Sequence, residues 1–380
     1  MKKQVIGIFA AMVMCIGIGG FIYHDSSALA DDELLVDIGN GMEAVDLSSS
    51  SAASSIFSYR EMDMSGNSIT ISNSELLSLA NGSEDGLKLN SDNGSIIMDK
   101  GYLASLLAQT QGDITFSLNV SGNAVYVSAK VDSSTIYGDA GICIVEADYG
   151  AGSIYTSVTD SNGRYVGTSC YYESGDVIRW QMTDSESYNI VTKEVVFNDI
   201  DNHWSKDYIG FLSSRDVVNG MRQGYFEPDG NLTRGQFITI LARISSDNIE
   251  EYTTETFNDV SEKDYYYNAV CWANANNIVN GRSIGEFAPD AKITREEMAA
   301  MCWRYTDYMG LSIEAVRTPA DFSDAASISS YAKDAVSQSY AAGYINGVGN
   351  NIFRPQGNAT RAEAGTMISG LVSYITAMPH

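Results

Sequence analysis

Three arginines, Arg234, Arg295 and Arg361, stand at matched places in this 380-residue chain, each fourteen residues past the glycine of an Asn-Gly pair. A guanidinium is a permanent charge with a planar fork of donors, a shape suited to carboxylate or phosphate. Each arginine follows a threonine, and Thr233, Thr294 and Thr360 are followed three residues later by Gln236, Glu297 and Glu363. That is the capping-box spacing, in which threonine accepts from a first-turn amide and the Gln or Glu reaches back. Every arginine then falls on the first helical position, beside unbonded N–H groups and the positive end of the helix dipole, where an anion is favoured. Fifteen residues before each asparagine stands an aromatic, Trp204, Tyr265 or Tyr331, a flat apolar face for a sugar ring. Asp199, Asp259 and Asp324, each in a Phe-x-Asp triplet, have the chemistry to accept from sugar hydroxyls or to orient the arginine. The ligand these types imply is an acidic polysaccharide. The same residues also fit a purely architectural role, with the arginine bridging to a neighbouring repeat's aspartate and the aromatic in the core.

The elements that must position them come from a threefold repeat. Asn219-Gly220, Asn280-Gly281 and Asn346-Gly347 are each followed, six and eight residues past the glycine, by a phenylalanine and a proline. These are Phe226 and Pro228, Phe287 and Pro289, and Phe353 and Pro355. After each Thr-Arg, apolar residues recur at i, i+3, i+4 and i+7, one face of a helix. They are Phe237, Ile240, Leu241 and Ile244; Met298, Met301, Cys302 and Tyr305; and Ala364, Met367, Ile368 and Leu371. An upstream helix is predicted at 208–214 and 266–276, ending in an Asn-Gly turn that calls for positive φ. One helix–loop–helix unit cannot cover its own apolar face, so three are expected to pack about a shared axis.

Phe-x-Asp-Val, the aromatic, Val-Asn-Gly, Gly-x-Phe-x-Pro and Ile-Thr-Arg-Glu-Glu together resemble the S-layer homology module over residues 197–375. The resemblance implies three repeats at 196–246, 256–310 and 321–376, arranged as an all-α three-pronged spindle, a pseudo-trimer of helix–loop–helix units. It implies grooves that hold a peptidoglycan-linked acidic secondary cell wall polymer, often pyruvylated, with Arg234, Arg295 and Arg361 on the acidic sugar. It also implies a secreted protein at the cell wall or S-layer surface of a bacterium. Repeat one departs from the usual pattern at Gly235-Gln236. Repeat three departs at Ser339, where a larger apolar residue is expected, and its groove is therefore the one expected to be weakest.

The first half reads differently. Two lysines, an apolar run over 5–23 and Ala28-Leu29-Ala30 are the marks of a signal peptide over 1–30. Residues 31–65 read as a flexible serine-rich leader. Residues 66–195 read as a β-rich α+β display domain, with strands at 68–72, 87–89, 94–98, 113–120, 124–131, 141–147, 154–159 and 177–182. Short helices are expected at 74–79 and 100–109. Such β-rich modules resemble those that precede these repeats in Firmicutes surface proteins.

A formal charge of −25 argues against nucleic acid and against anionic lipid as partners. Cys143, Cys170, Cys271 and Cys302 show no metal spacing; the pairs 143–170 and 271–302 could oxidise outside the cell, or all four could be small buried hydrophobes. Among histidines beyond the leader only His203 and His380 remain, and no nucleophile elbow or phosphate loop is present. No catalytic or metal residue and no cofactor is therefore expected. Asp160-Ser-Asn-Gly163 holds a fragment of calcium-loop chemistry that reads better as a turn. The competing reading is a wall-anchored polysaccharide hydrolase working through two carboxylates of the β-rich domain.

Overall fold

The computed structural model describes residues 58–377 apart from 151, 174, 246 and 312–314, together with the paired strands β1 (Leu35–Asp37) and β2 (Glu43–Val45). The expected signal peptide and His380 lie outside the described residues. The expected leader is ordered at its end. Tyr59 and Met62 belong to β3 (Tyr59–Asp63), which adds in parallel to β5 (Gly86–Ser91).

Two sheets make the first domain. One has the order β12 (Cys170–Tyr172), β13 (Val177–Gln181), β10 (Cys143–Asp148), β6 (Gly94–Asp99), β5 and β3. The other has the order β11 (Thr156–Asp160), β14 (Ser187–Thr192), β8 (Ala124–Val131), β7 (Ile114–Ser121) and β4 (Ser68–Ile71), with β9 (Ser134–Ile136) also on β8. Helices α1 (Asn73–Ala80) and α2 (Lys100–Gln109) add Leu76, Leu103 and Leu106 to the core between the sheets.

The alternation along β6 and β10 decides how this domain meets the rest. Ile96, Met98, Val145 and Ala147 point into the domain's own core. Ile97, Ile142 and Ile144, with Cys170 and Tyr172, join a second core made otherwise of the C-terminal helices. A sheet buried on both faces needs unbroken apolar runs, which is what Ile96-Ile97-Met98 and Ile142-Cys143-Ile144-Val145 supply.

The C-terminal half is helical: α3 (Lys206–Ser213) and α4 (Arg234–Ile244), α5 (Tyr267–Ala275) and α6 (Arg295–Tyr308), α7 (Lys333–Ala341) and α8 (Arg361–Ala377). All twelve residues of the expected helix stripes are buried. The first helix of each pair ends on a left-handed residue three before the asparagine, Asp216, Asn277 or Gly343. Of the Asn-Gly glycines only Gly281 has positive φ, so the turn conformation is not their common reason. Room is the common reason. A Cβ on Gly220, Gly281 or Gly347 would lie 2.8, 2.8 or 3.0 Å from a ring carbon of Phe197, Phe257 or Phe322.

Ser339 sits in the core of the third repeat and does not line a surface groove. Its hydroxyl donates at 2.8 Å to the buried Tyr344, which stands where the other repeats have Val217 and Ile278. Cys143, Cys271 and Cys302 are free buried thiols, so neither expected disulfide pair forms.

Candidate functional site

Each arginine leaves its own repeat and enters the next. Arg234 donates from Nε to the Phe287 carbonyl and from Nη1 to Glu297 Oε1, both at 2.9 Å. Arg295 donates from Nε to the Phe353 carbonyl at 2.8 Å and from Nη2 to the Asn346 carbonyl at 2.7 Å, with Glu363 Oε1 3.6 Å from Nη1. Arg361 closes the ring onto repeat one, donating from Nε to the Phe226 carbonyl at 2.9 Å and from Nη2 to the Asn219 carbonyl at 2.7 Å. Each guanidinium also lies over the ring of that phenylalanine, at 4.7, 5.0 and 4.2 Å respectively. All three are buried, and burial pushes each below its ordinary value, Arg295 to about 10, which leaves them charged at neutral pH.

The helix N-termini are spoken for as well. Arg234 N and Gly235 N donate to the Ala291 and Pro289 carbonyls; Arg295 N and Glu296 N donate to Gly357 and Pro355; Arg361 N and Ala362 N donate to Gly230 and Pro228. The third amide of each helix goes to the threonine, and Thr233, Thr294 and Thr360 complete the three capping boxes. The anion cradle expected from unbonded first-turn amides is therefore filled by the carbonyls of the next repeat.

The aspartates take a third role. Asp199 accepts from Phe226 N and Glu227 N, Asp259 from Phe287 N and Ala288 N, and Asp324 from Phe353 N and Arg354 N, at 2.9 and 2.7 Å in every case. The second donor of each pair has φ near +60°, namely Glu227, Ala288 and Arg354. Each carboxylate holds a strained loop residue in place. None orients an arginine by a direct bond among the described residues.

The aromatics stand where a ligand has access. Tyr265 is 68% exposed and Tyr331 50% exposed, while Trp204 is partly buried beside His203, with ring centroids 5.3 Å apart. Burial raises the Tyr265 hydroxyl pKa and Asp290 adds to it, whereas Arg243 and Arg361 oppose. Both guanidinium charges thus act on this tyrosine. The Tyr331 hydroxyl is likewise raised by burial and by Glu296, with Arg234 opposing. The Tyr265 and Tyr331 joints therefore draw on three repeats: an aromatic from one, an arginine from a second and a helix start from the third.

Glu297 makes one joint sensitive to acid. Burial would raise its pKa, but hydrogen bonds from Arg282 and the Thr294 amide, with the Arg234 charge, outweigh burial and hold it below the ordinary glutamate range. A folded carboxyl with a depressed pKa stabilises above its unfolded value and stops doing so as pH falls through the folded one. The melting temperature is expected to fall as pH drops below about 4, and Glu297→Gln to flatten that dependence. An unchanged slope in the variant would remove Glu297 from the account.

The β-rich domain offers no comparable site. Asp99 caps α2 through Tyr102 N at 2.7 Å, and Glu146 pairs with Arg179 at 2.6 Å. Asp160 is taken up by Asn162 N, Arg164 N and Arg164 Nε in its own turn. Among the described residues no group of three or more His, Cys, Asp or Glu is placed to hold a metal, and no helix is long and apolar enough to cross a membrane.

Comparison with known proteins agrees with this geometry. The chain is 33% identical to an amylopullulanase of Thermoanaerobacterium thermosulfurigenes over 311 residues, 78% of this chain and 16% of that protein. It is 35% identical to the exoglucanase XynX of Acetivibrio thermocellus over 56% of this chain and 20% of the relative. It is 26% identical to a cellulosome-anchoring protein of the same organism over 40% of this chain and 34% of the relative. The chain thus spans between 16% and 34% of the length of these relatives. The S-layer homology domain family matches at residues 196–238, 256–299 and 321–364. The chain carries three tandem S-layer homology domains in its C-terminal half.

Proposed function

We propose that the three domains anchor this cell-wall-associated surface protein without a covalent bond, by gripping a peptidoglycan-linked acidic secondary polymer in grooves between the prongs of a helical spindle. Pyruvylated sugars are the favoured acidic groups, since a carboxylate suits the remaining Nη groups of Arg234, Arg295 and Arg361. One observation carries the reading: Tyr265 and Tyr331 stay exposed on repeats whose joints are held rigid by arginines bonded to the next repeat's carbonyls. Such preorganisation lowers the entropy lost on binding. The chain's negative charge opposes an acidic ligand, so local geometry has to supply the affinity.

The match to the amylopullulanase covers 311 residues, more than the repeats span, so the β-rich domain and the repeats recur together there as 16% of a larger protein. That favours reading the whole chain as an attachment block. The hydrolase reading rests on such relatives' names, and Asp99, Glu146 and the buried Asp160 of the β-rich domain are already bonded.

The test is sedimentation of the full chain with cell-wall sacculi, native or stripped of secondary polymer. Binding is expected to native walls alone. The double variant Trp204→Ala/Tyr265→Ala should bind about tenfold more weakly at unchanged melting temperature, the loss of roughly 1.4 kcal/mol typical of an aromatic contact. Equal binding to stripped walls would overturn the polymer as ligand.

A further inference from the structure

The second position of the repeat helices differs in a way that reaches into the grooves. It is Gly235 in repeat one, Glu296 in repeat two and Ala362 in repeat three. Glu296 is only 2% exposed, yet no arginine or lysine pairs with it among the described residues. Its carboxylate instead crosses the joint to repeat three. Oε1 accepts from the Tyr331 hydroxyl at 3.0 Å and from Gln356 Nε2 at 2.9 Å, and Oε2 accepts from Ser329 N at 2.9 Å. An aromatic hydroxyl, an amide side chain and a backbone amide, converging on one buried carboxylate, form a complete anion site with its anion supplied by the protein.

The matched joints lack such a plug. Gly235 meets repeat two beside Tyr266 and the Pro289 carbonyl with no side chain at all, and Ala362 meets repeat one with a single methyl. The arginines follow the same division. Arg234, beside the plugged joint, is neutralised by Glu297, which also binds Arg282 at 2.9 Å. Arg361, whose charge opposes the upward shift of the exposed Tyr265 hydroxyl, forms no ion pair among the described residues, because repeat one has the neutral Gln236 where the others have glutamate.

We propose that Glu296 is a built-in acidic ligand that closes the groove between repeats two and three, leaving the Tyr265–Arg361 groove as the principal one for an acidic sugar. This rests on the anchoring reading above and adds to it which grooves are used. The closure is steric and electrostatic together: an incoming carboxylate would have to displace Glu296 from three donors and then share the joint with it.

The experiment measures binding of the full-length chain and its variants to native sacculi, with stripped sacculi as control. Glu296→Ala is a replacement that Ala362 already tolerates at the matched place. It is expected to raise affinity about tenfold by opening a second groove. Tyr331→Ala should abolish the gain that Glu296→Ala brings to the wild-type chain. Tyr265→Ala should weaken binding in both. Unfolding midpoints, with Tyr331→Phe as a milder way to loosen the plug, separate these effects from loss of fold. Wild-type binding with no gain from either Glu296→Ala or Tyr331→Phe overturns the closure and leaves anchoring intact. A wild-type chain that ignores native walls overturns both.

Discussion

Arg295→Ala is expected to lower the unfolding free energy by about 4 kcal/mol, the range seen when one partner is removed from a buried ionic group. The side chain is buried and serves the Phe353 and Asn346 carbonyls, the Glu363 carboxylate and the face of Phe353 at once. Removing it leaves two carbonyls without their donor, at about 1–3 kcal/mol each for a buried polar group. Recovering the desolvation cost of the guanidinium offsets part of this, and the total stays large because the carbonyls cannot turn to water. Arg295→Lys should recover little, since one ammonium cannot reproduce a fork spanning two carbonyls. Urea denaturation followed by circular dichroism measures it, and a loss below about 1 kcal/mol would show that the clasp is not structural. Arginine variants are for this reason poor tests of binding: a chain whose joints have opened loses its grooves whatever the arginine does to ligand.

The pattern of the repeat helices was readable because apolar spacing and capping boxes are local. Thr233 with Gln236, or Phe237 with Ile240 and Leu241, state their geometry within a few residues. The destinations of Arg234, Arg295 and Arg361 were not readable, because a first-position arginine looks the same whether it turns to solvent or into the next repeat. The carbonyls that receive it carry no side-chain signal. The aspartates misled for a related reason: their partners are amides 27 to 30 residues downstream. Two signals were present and went unused. Asp216, Asn277 and Gly343 share a position at which Asn, Asp or Gly marks a left-handed helix end. Ile96-Ile97-Met98 breaks the alternation of a one-faced strand and so announces a second buried face. Strands β1, β2, β3, β9, β12 and β14 have no counterpart among the predicted strands; β1, β2, β9 and β12 have three residues each, too few to show a period.

That second buried face bears on how the β-rich domain is carried. Arg215→Ala is expected to cost about 4 kcal/mol and to uncouple the two halves of the molecule. Arg215 is fully buried at their junction, with Nε on the Ser169 carbonyl, Nη2 on Thr156 and Nη1 on Ile154, all from the β-rich domain. Nη1 also serves the Phe211 carbonyl and the Ser214 hydroxyl of the first repeat, and the guanidinium lies 3.8 Å from the Phe211 ring. Burial lowers its pKa to about 9, so the charge persists at neutral pH with carbonyl dipoles in place of a counter-ion. Alanine would strand three β-domain carbonyls in an apolar seam. What remains there, chiefly Tyr172 with Thr376 at 2.8 Å and the packing of β12 and β13 on α8, is too little to keep the halves in one cooperative unit. The wild-type chain should unfold in a single transition and the variant in two, read by differential scanning calorimetry. One transition at the wild-type midpoint would mean that sheet packing alone joins the domains. With Arg215 in place the β-rich domain is held against the repeats by a shared core.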